Sequence, residues 1–302
     1  MKVGIEKVLI IGGSGMLGHK LWQIFDGRFD TFVTLRQDFE YYKQYELYNP
    51  ARTMYDVSVD DFNSVTRAIE ELRPSVVVNC IGIVKQDEAA KDLLASIEVN
   101  ALFPHRLARL CQRDEIRLLH ISTDCVFSGR KGNYSEDDVS DAEDVYGRTK
   151  FLGEVSYKGC LTIRTSMIGR ELETSHGLVE WFLSQERKTI SGYRRAIFSG
   201  FTTNALAEIV AGIITKNPEL HGVWHVASEP ISKFELLSLV KRVYGLHIKI
   251  EPDQTVVCDR SLNGARFRQA TGFIPPSWQQ MIEQMYRDPT PYSKLRKLHV
   301  NR

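Results

Sequence analysis

Short apolar runs alternate with segments of helical periodicity through roughly the first 165 residues of the chain. The apolar runs predict strands at residues 7–11, 31–35, 75–80, 116–121 and 160–164. The segments between them predict helices around residues 17–26, 60–72, 92–113 and 144–156. Strands that alternate with helices predict a parallel sheet with helices on both faces, so the expected fold class is α/β.

The pattern loosens beyond residue 165. Further helices are predicted at 171–192, 232–245 and 277–285, and short strands at 224–227 and 248–250. The basic stretch 294–302 follows two prolines, which indicates a solvated tail. We expect a Rossmann-type doubly wound parallel sheet in residues 1–165, to which segments near 198–228 return. Residues 166–302 then form a smaller, discontinuous C-terminal α/β domain.

The first predicted strand runs directly into a glycine-rich turn, Gly12-Gly13-Ser14-Gly15-Met16-Leu17-Gly18. Gly12 permits the turn, Gly15 lets the backbone approach a pyrophosphate, and Gly18 lets the next helix pack closely on the strand. Phosphates bind the free N–H groups at such a helix N-terminus. A lone glycine cluster is often an ordinary turn, but a position between strand and helix favours a dinucleotide site. The predicted contacts are Gly12, Ser14, Gly15, Met16, Leu17 and Gly18.

The second predicted strand ends at Arg36, about twenty residues after the glycines. Dinucleotide folds that prefer NAD carry Asp or Glu there, to bind the ribose 2′-hydroxyl. An Arg suits the 2′-phosphate of NADP instead, although a solvated Arg at a strand end is also common. The position and the missing acid together predict NADP(H) in preference to NAD(H).

Tyr146 and Lys150 are four residues apart on a predicted helix, so their side chains project from one face. An ammonium near a phenol favours the phenolate, so we expect Lys150 to lower the pKa of Tyr146 and make it a general acid or base. Thr123 lies in the polar turn after strand 116–121, where its hydroxyl can hold a carbonyl oxygen. One such Tyr–Lys pair is expected by chance for this composition. The glycine-rich turn earlier in the chain strengthens its interpretation as a catalytic pair.

The composition limits which partners, compartment and metals are expected for this protein. The chain has 302 residues, of which 43% are hydrophobic and 25% charged, and its net charge is +1. Such a balance, without a basic stripe, argues against a nucleic-acid partner, and no apolar run approaches the length of a membrane span. The five cysteines are scattered and the start lacks the apolar core of a signal peptide, so we expect reduced thiols and a cytoplasmic protein. Neither Cys nor His shows metal-ligand spacing, which predicts no protein-bound metal.

Several separated stretches resemble one family of enzymes. They are the glycine-rich turn, Ile121–Gly129, Tyr146–Lys150 followed by Gly153-Glu154, Arg164-Thr165-Ser166 and Arg260–Asn263. Together they resemble the extended short-chain dehydrogenases/reductases, and among these the dTDP-4-dehydrorhamnose reductase family. The resemblance covers nearly the full length of the chain.

The resemblance implies a catalytic set of Thr123, Tyr146 and Lys150. It also implies contacts along the cofactor from several turns and one buried helical residue. These expected contacts are Asp56 and Val57 after the third strand, Cys80, Ile81 and Gly82 after the fourth, Asn100 on the following helix, and Ser122, Tyr146 and Lys150.

The expected substrate contacts are Lys85, Thr123, Asp124, Met167, Arg260 and Asn263. For a substrate diphosphate, Arg260 is the first candidate and Lys85, on the loop after the fourth strand, is the second; a solvated surface cation is the alternative for both. The chain departs from the family pattern beside this pocket, with Met167 in place of Trp, Cys125 in place of Tyr, and Asn79–Gly82 in place of an Ala-rich turn. The identity of the sugar is therefore open.

Three functions fit this sequence. The first is an NADPH-dependent reductase of a nucleoside-diphosphate 4-keto-6-deoxy sugar, with Tyr146 as proton donor. The second is an epimerase of the same fold; a dehydratase is disfavoured because Cys125 cannot supply the acid that eliminates water. The third is a cofactor-binding regulatory subunit without turnover. The expected partner is a nucleoside-diphosphate sugar, with no nucleic acid and no membrane, and a homodimer is one candidate assembly.

Overall fold

The computed structural model describes residues 6–84 and 92–300. The first part of the chain alternates strands and helices: β1 Lys7–Ile11, α1 Gly18–Phe25, β2 Asp30–Thr34, α2 Phe39–Tyr42, β3 Thr53–Met54, α3 Phe62–Leu72, β4 Val76–Asn79, α4 Leu93–Ile97, α5 Phe103–Arg113, β5 Arg117–Ile121, α6 Val145–Leu152 and β6 Cys160–Arg164. The second part is less regular: β7 Met167–Ile168, α7 Leu178–Leu183, β8 Thr189–Phe198, β9 Phe201–Thr202, α8 Thr203–Lys216, β10 Gly222–His225, β11 Ile231–Ser232, α9 Lys233–Tyr244, β12 Lys249–Asp259, α10 Ala265–Thr271, α11 Trp278–Tyr286 and α12 Tyr292–Val300.

Seven described strands form one parallel sheet in the order β10-β6-β5-β4-β1-β2-β3. Both faces of the sheet are covered, because alternate residues of β1 enter different cores. Val8 and Ile10 pack on the side of Leu21, whereas Leu9 and Ile11 pack on the side of Leu107. This arrangement confirms the predicted Rossmann-type α/β fold.

The strand order changes direction between β1 and β4, and ligands bind at the carboxyl edge of such a switch point. Three segments meet there: the glycine-rich turn after β1, residues 80–84 after β4, and residues 122–124 after β5. The candidate site is therefore assembled from turns that are far apart in the chain and adjacent in the sheet.

The helix predicted for residues 92–113 is not continuous. A π-helical turn, Glu98–Leu102, separates α4 from α5 and contains the buried Asn100. π-Helical turns are rare and frequently lie at functional sites. Gly153, just after α6, packs on this turn, since a Cβ on Gly153 would lie 1.9 Å from the Asn100 carbonyl oxygen.

The prediction of one helix over residues 171–192 is wrong. Only α7 is helical there, and β8 begins at Thr189. β8 is the central strand of a second sheet, paired in parallel with β12 and antiparallel with β11. The strand predicted at 248–250 is correspondingly longer, because β12 pairs with β8 from Lys249 to Asp259. Pairing of this kind depends on a partner about sixty residues away, which a local pattern does not reveal.

The solvated tail predicted for residues 294–302 is also wrong over its described part. Residues 292–300 form α12, in which Tyr292 and Leu295 are each only 2% exposed. These two side chains join the core that contains α1 and α8. Among the described residues, no helix is both long enough and apolar enough to cross a bilayer.

Candidate active site

The glycine-rich turn has the geometry that its sequence predicts. Gly12 has a φ of +89°, in the left-handed region that favours glycine, and a Cβ on Gly18 would lie 2.0 Å from the Gly12 carbonyl oxygen. Gly15 is exposed at the outer side of the turn. No side chain caps the N-terminus of α1. These features leave backbone N–H groups for a phosphate.

Two residues that shape this turn were not among the predicted contacts. A Cβ on Gly13 would lie 2.0 Å from Val33 Cγ2, so Gly13 is required for β1 and β2 to pair as they do. The buried Tyr48 hydroxyl donates to the Gly13 carbonyl at 3.0 Å. Gly13 was visible in the sequence as part of the turn, whereas nothing local identified Tyr48.

The end of β2 brings together the residues expected near the adenosine. The Val57 N–H donates to the Leu35 carbonyl at 3.0 Å, and Asp56 adopts a φ of +57° on the exposed surface beside it. The side chain of Arg36 is 71% exposed and its Nη2 lies 3.2 Å from Asp60 Oδ2. Arg36 is thus accessible to a ligand, but an acidic side chain already competes for its guanidinium.

The turn after β4 is held against the glycine-rich turn. A Cβ on Gly12 would meet Ile81 Cγ1 at 2.9 Å, so these two turns are in close contact. Asn100 pins the turn through both backbone groups of Ile83: its Oδ1 accepts the N–H and its Nδ2 donates to the carbonyl, each at 3.0 Å. Burial raises the pKa of Cys80 to about 12, so this thiol is neutral near pH 7. Asn100 therefore acts on the structure of the turn.

Lys85, the second candidate for a diphosphate, lies outside the described residues. The remaining residues after β4 that were predicted to line the cofactor, Cys80, Ile81 and Gly82, do lie at the carboxyl edge of the sheet. Gly82 is also close to the catalytic candidates, because a Cβ there would be 3.7 Å from Lys150 Nζ.

The structure brings Thr123, Tyr146 and Lys150 together. Thr123 follows β5, and its hydroxyl is near enough to that of Tyr146 to lower the pKa of the phenol. Lys150 is 4% exposed, and its ammonium donates to the Ile121 carbonyl at 2.8 Å, at the end of the same strand. Gly147 makes this approach sterically possible, since a Cβ there would lie 2.2 Å from the Cys125 carbonyl oxygen.

The electrostatics of the trio differ from the sequence expectation. Burial raises the pKa of Tyr146, and the neighbouring Cys125 adds to this effect; the Thr123 hydrogen bond opposes it. Burial also lowers the pKa of Lys150 to about 8, against the attraction of Glu154. The predicted lowering of the Tyr146 pKa by Lys150 is therefore wrong for this structure, because burial raises this pKa.

Beyond the trio, two cations face a buried acid. Asp124 is 6% exposed, and burial raises its pKa, opposed chiefly by the charge of Arg260. Arg260 Nε donates to the Phe127 carbonyl at 2.8 Å, which orients the guanidinium. Lys233 begins α9 with its ammonium 4.1 Å from the centre of the Phe198 ring, and burial lowers its pKa.

Lys233 was not predicted from the sequence, although its position is unusual. A cation at a helix N-terminus opposes the helix dipole, and within the described chain its ammonium has no hydrogen-bond acceptor. Local rules that are broken in this way often mark functional positions.

Three predicted residues have mainly structural contacts here. Ser122 Oγ donates to Glu154 Oε1 at 2.8 Å, and Glu154 in turn forms a buried ion pair with Arg164. Asn263 Oδ1 accepts the N–H of Ala265 at 2.9 Å, at the start of α10. Met167 is half-buried in β7, just after the Thr165 carbonyl that accepts the Asp124 N–H.

A parallel Rossmann sheet with these turns at its carboxyl edge is the architecture of an NAD(P)-dependent oxidoreductase. A family model described as the RmlD substrate binding domain matches residues 6–290, and the chain belongs to this dTDP-4-dehydrorhamnose reductase family.

A full-length relative agrees with this assignment, and solved structures agree with the fold. The chain is 24% identical to a dTDP-4-dehydrorhamnose reductase of Aggregatibacter actinomycetemcomitans, over 93% of this chain and 98% of the relative. A crystal structure of dTDP-4-dehydrorhamnose reductase from Bacillus anthracis, in complex with NADP, superposes with a TM-score of 0.75 at 21% identity, covering 93% and 99% of the two chains. A UDP-glucose 4-epimerase from Thermus thermophilus in complex with NAD gives 0.72 at 20% identity, covering 92% and 97%.

Proposed function

We propose that this protein reduces the 4-keto group of a nucleoside-diphosphate 6-deoxy sugar and uses NADPH in preference to NADH. The observation that carries the proposal is the convergence of Thr123, Tyr146 and Lys150 at the edge that also holds the glycine-rich turn. A relative that covers almost the same length is named as a dTDP-4-dehydrorhamnose reductase. The chemistry of the site and the family therefore point to the same reaction.

The residues of the trio have distinct roles in this proposal. A bound nicotinamide supplies the hydride. Tyr146 donates a proton to the oxygen at C4 as that oxygen gains charge, and Thr123 hydrogen-bonds the same oxygen. A raised Tyr146 pKa suits this direction of reaction, because the phenol stays protonated near pH 7 and can act as an acid. Lys150 binds the nicotinamide ribose and, when protonated, favours the phenolate that forms.

The donors around the glycine-rich turn fit a dinucleotide. The uncapped N-terminus of α1 can bind a pyrophosphate, and the exposed Asp56, next to the buried Val57, can contact an adenine. Arg36 can make a bidentate, charge-assisted contact to a 2′-phosphate. The preference for NADPH depends on Arg36 binding this phosphate more strongly than it binds Asp60, and an exposed ion pair contributes little that would oppose this.

The charged side of the cleft fits a diphosphate. Arg260 presents its terminal guanidinium nitrogens while Nε is held by Phe127, and Lys233 supplies a second, poorly solvated cation. Both interact with Asp124, next to the catalytic Thr123. Two cations near one acid leave a net positive charge, which favours an anionic substrate.

The test is NADPH oxidation with a panel of dTDP-, UDP- and GDP-linked 4-keto-6-deoxy sugars. The proposal expects stoichiometric NADPH consumption with at least one of them. The second candidate is an epimerase, favoured by the structural likeness to an NAD-bound 4-epimerase. It would interconvert two nucleotide sugars, retain its dinucleotide and consume none. A regulatory subunit would oxidise NADPH with no member of the panel and would copurify with a stoichiometric partner.

A further inference from the structure

The segment that precedes and begins α12 lies along α1, the helix that starts at the glycine-rich turn. Lys20 forms a buried ion pair with Asp288, and Gln23 Nε2 donates to Thr290 Oγ1 at 2.9 Å. One turn closer to the glycines, His19 Nε2 lies 3.0 Å from the Tyr292 hydroxyl. These contacts join residues that are more than 260 positions apart in the chain.

His19 connects this segment to the glycine-rich turn itself. Its Nδ1 lies 2.8 Å from the Gly15 carbonyl oxygen, and the side chain is fully buried. Burial lowers the pKa of His19 to about 3, so the ring is neutral near pH 7 and carries a single N–H. A carbonyl can only accept, so this hydrogen is on Nδ1. Nε2 is then an acceptor, and the Tyr292 hydroxyl donates to it.

The orientation of the Gly15 carbonyl determines the direction of the next backbone N–H, that of Met16. In a trans peptide unit the C=O and the following N–H point in opposite directions. A Gly15 carbonyl held inward by His19 therefore turns the Met16 N–H outward, at the uncapped start of α1. The backbone N–H of His19 also donates to this carbonyl, at 3.1 Å, so the His19 ring adds a second hydrogen bond to the same oxygen.

Tyr292 is itself fixed from its other side. It is 2% exposed, and the Arg170 guanidinium lies 4.7 Å from the centre of its ring. Arg170 Nε donates to the buried Glu180 at 2.6 Å. Contacts in the C-terminal half of the molecule therefore fix the position of the Tyr292 hydroxyl. The His19 ring connects this hydroxyl to the Gly15 carbonyl.

We propose that Tyr292 is a positioning residue for the dinucleotide site: its hydroxyl donates to Nε2 and so orients the His19 ring, whose Nδ1–H holds the Gly15 carbonyl and directs the Met16 amide toward a pyrophosphate. Docking of the C-terminal segment thereby sets the affinity for the dinucleotide. This inference rests on the cofactor site proposed above and does not depend on which sugar is reduced.

A double-mutant cycle tests this relay of hydrogen bonds from Tyr292 through His19 to Gly15. Tyr292→Phe keeps the ring and removes the donor, and should raise the Kd for NADPH about three- to tenfold, the effect of one hydrogen bond, with kcat at saturating NADPH unchanged. His19→Asn keeps a donor at roughly the position of Nδ1 but cannot reach Tyr292. In that background, Tyr292→Phe should change the Kd no further. Tyr286→Phe, at a tyrosine that is 53% exposed on α11, is the matched control and should leave the Kd unaltered.

Hydrogen exchange supplies a readout that needs no ligand. In Tyr292→Phe, amides in residues 12–21 should exchange faster, while those of β12 stay unchanged. An unchanged Kd together with unchanged exchange at 12–21 would overturn the proposal, as would the same loss of affinity in both backgrounds, which would mean that Tyr292 acts through general packing. If the unmodified protein bound neither NADPH nor NADH, the proposed cofactor site would fail, and the exchange result would still decide whether the relay exists.

Discussion

The proposed site has two sides, called walls here, that are built by different means. One, the glycine wall, is backbone: at Gly12 and Gly18, a Cβ would come within 3.0 Å of a neighbouring atom. The other, the charged wall, consists of side chains from distant segments, namely Asp124, Lys233 and Arg260. Adding an atom to the backbone wall should disturb packing and lower stability. Removing a charged side chain from the other wall should weaken ligand binding while the fold persists.

The largest effect is expected at the proposed catalytic trio, Thr123, Tyr146 and Lys150. Tyr146→Phe keeps the ring and its packing but removes the transferable proton, so kcat should fall by about 10²–10⁴. Steady-state NADPH oxidation measures this, with circular dichroism to show that the fold is intact. Tyr193→Phe, at a partly exposed tyrosine of β8, is the control. Near-normal kcat in Tyr146→Phe would mean that another group donates the proton.

The glycine wall should not accept a methyl group. Gly18→Ala places its Cβ against the backbone of Gly12, which cannot move aside as a flexible side chain could, so we expect a loss of about 2–3 kcal/mol in the free energy of unfolding. Urea denaturation measures the loss. The matched control is Gly212→Ala in α8, where a Cβ meets open space; it should be neutral or stabilise by up to about 1 kcal/mol. Equal stabilities of the two variants would contradict the close packing at Gly18.

Arg36 follows β2, beside the glycine wall, and its removal tests the contribution of a charge rather than of backbone shape. Arg36→Ala should weaken NADPH binding by about ten- to a hundredfold and leave NADH binding nearly unchanged, because only NADPH has a 2′-phosphate. Fluorescence titration with both dinucleotides measures the difference. Asp60→Asn should shift the preference slightly toward NADPH by removing the competing carboxylate. Equal affinities of the unmodified protein for NADPH and NADH would remove the basis of this prediction.

A substitution in the charged wall should affect substrate binding, whereas one in the glycine wall affects stability. Arg260→Ala should raise the KM for the nucleotide sugar at least about tenfold, the effect of one lost charge-assisted contact, and leave the Kd for NADPH unaltered. Arg287→Ala, at an arginine that is 76% exposed on its side chain, is the control. An unaltered sugar-nucleotide KM in Arg260→Ala would show that this arginine is not a ligand of the substrate.

The two walls also differ in how far they could be predicted. The glycine wall and the trio follow from short local patterns: a strand that ends in glycines, a hydroxyl after β5, and Tyr146 four residues before Lys150. The charged wall depends on the pairing of β8 with β12, which carries Arg260 to Phe127, and residues 171–192 were predicted as helix. Lys233 and Tyr292 lie in segments that meet the site only through tertiary packing.

Electrostatic effects were predicted less well than positions. The sequence places Lys150 next to Tyr146, but it does not show how deeply the phenol is buried, and burial determines the direction of the pKa shift. The Asp60 that binds Arg36 could not be identified either, because it lies 24 residues further along the chain.

Transfer of deuterium from NADPH labelled at the transferring position of the nicotinamide tests the central claim most directly. The unmodified protein should place the label on C4 of the sugar, one deuterium for each NADPH consumed, as read by NMR and mass spectrometry of the product. Tyr146→Phe should slow the transfer without changing its position. A nucleotide sugar converted without deuterium at C4 and without consumption of NADPH would contradict the proposed reduction and favour epimerisation on a retained dinucleotide.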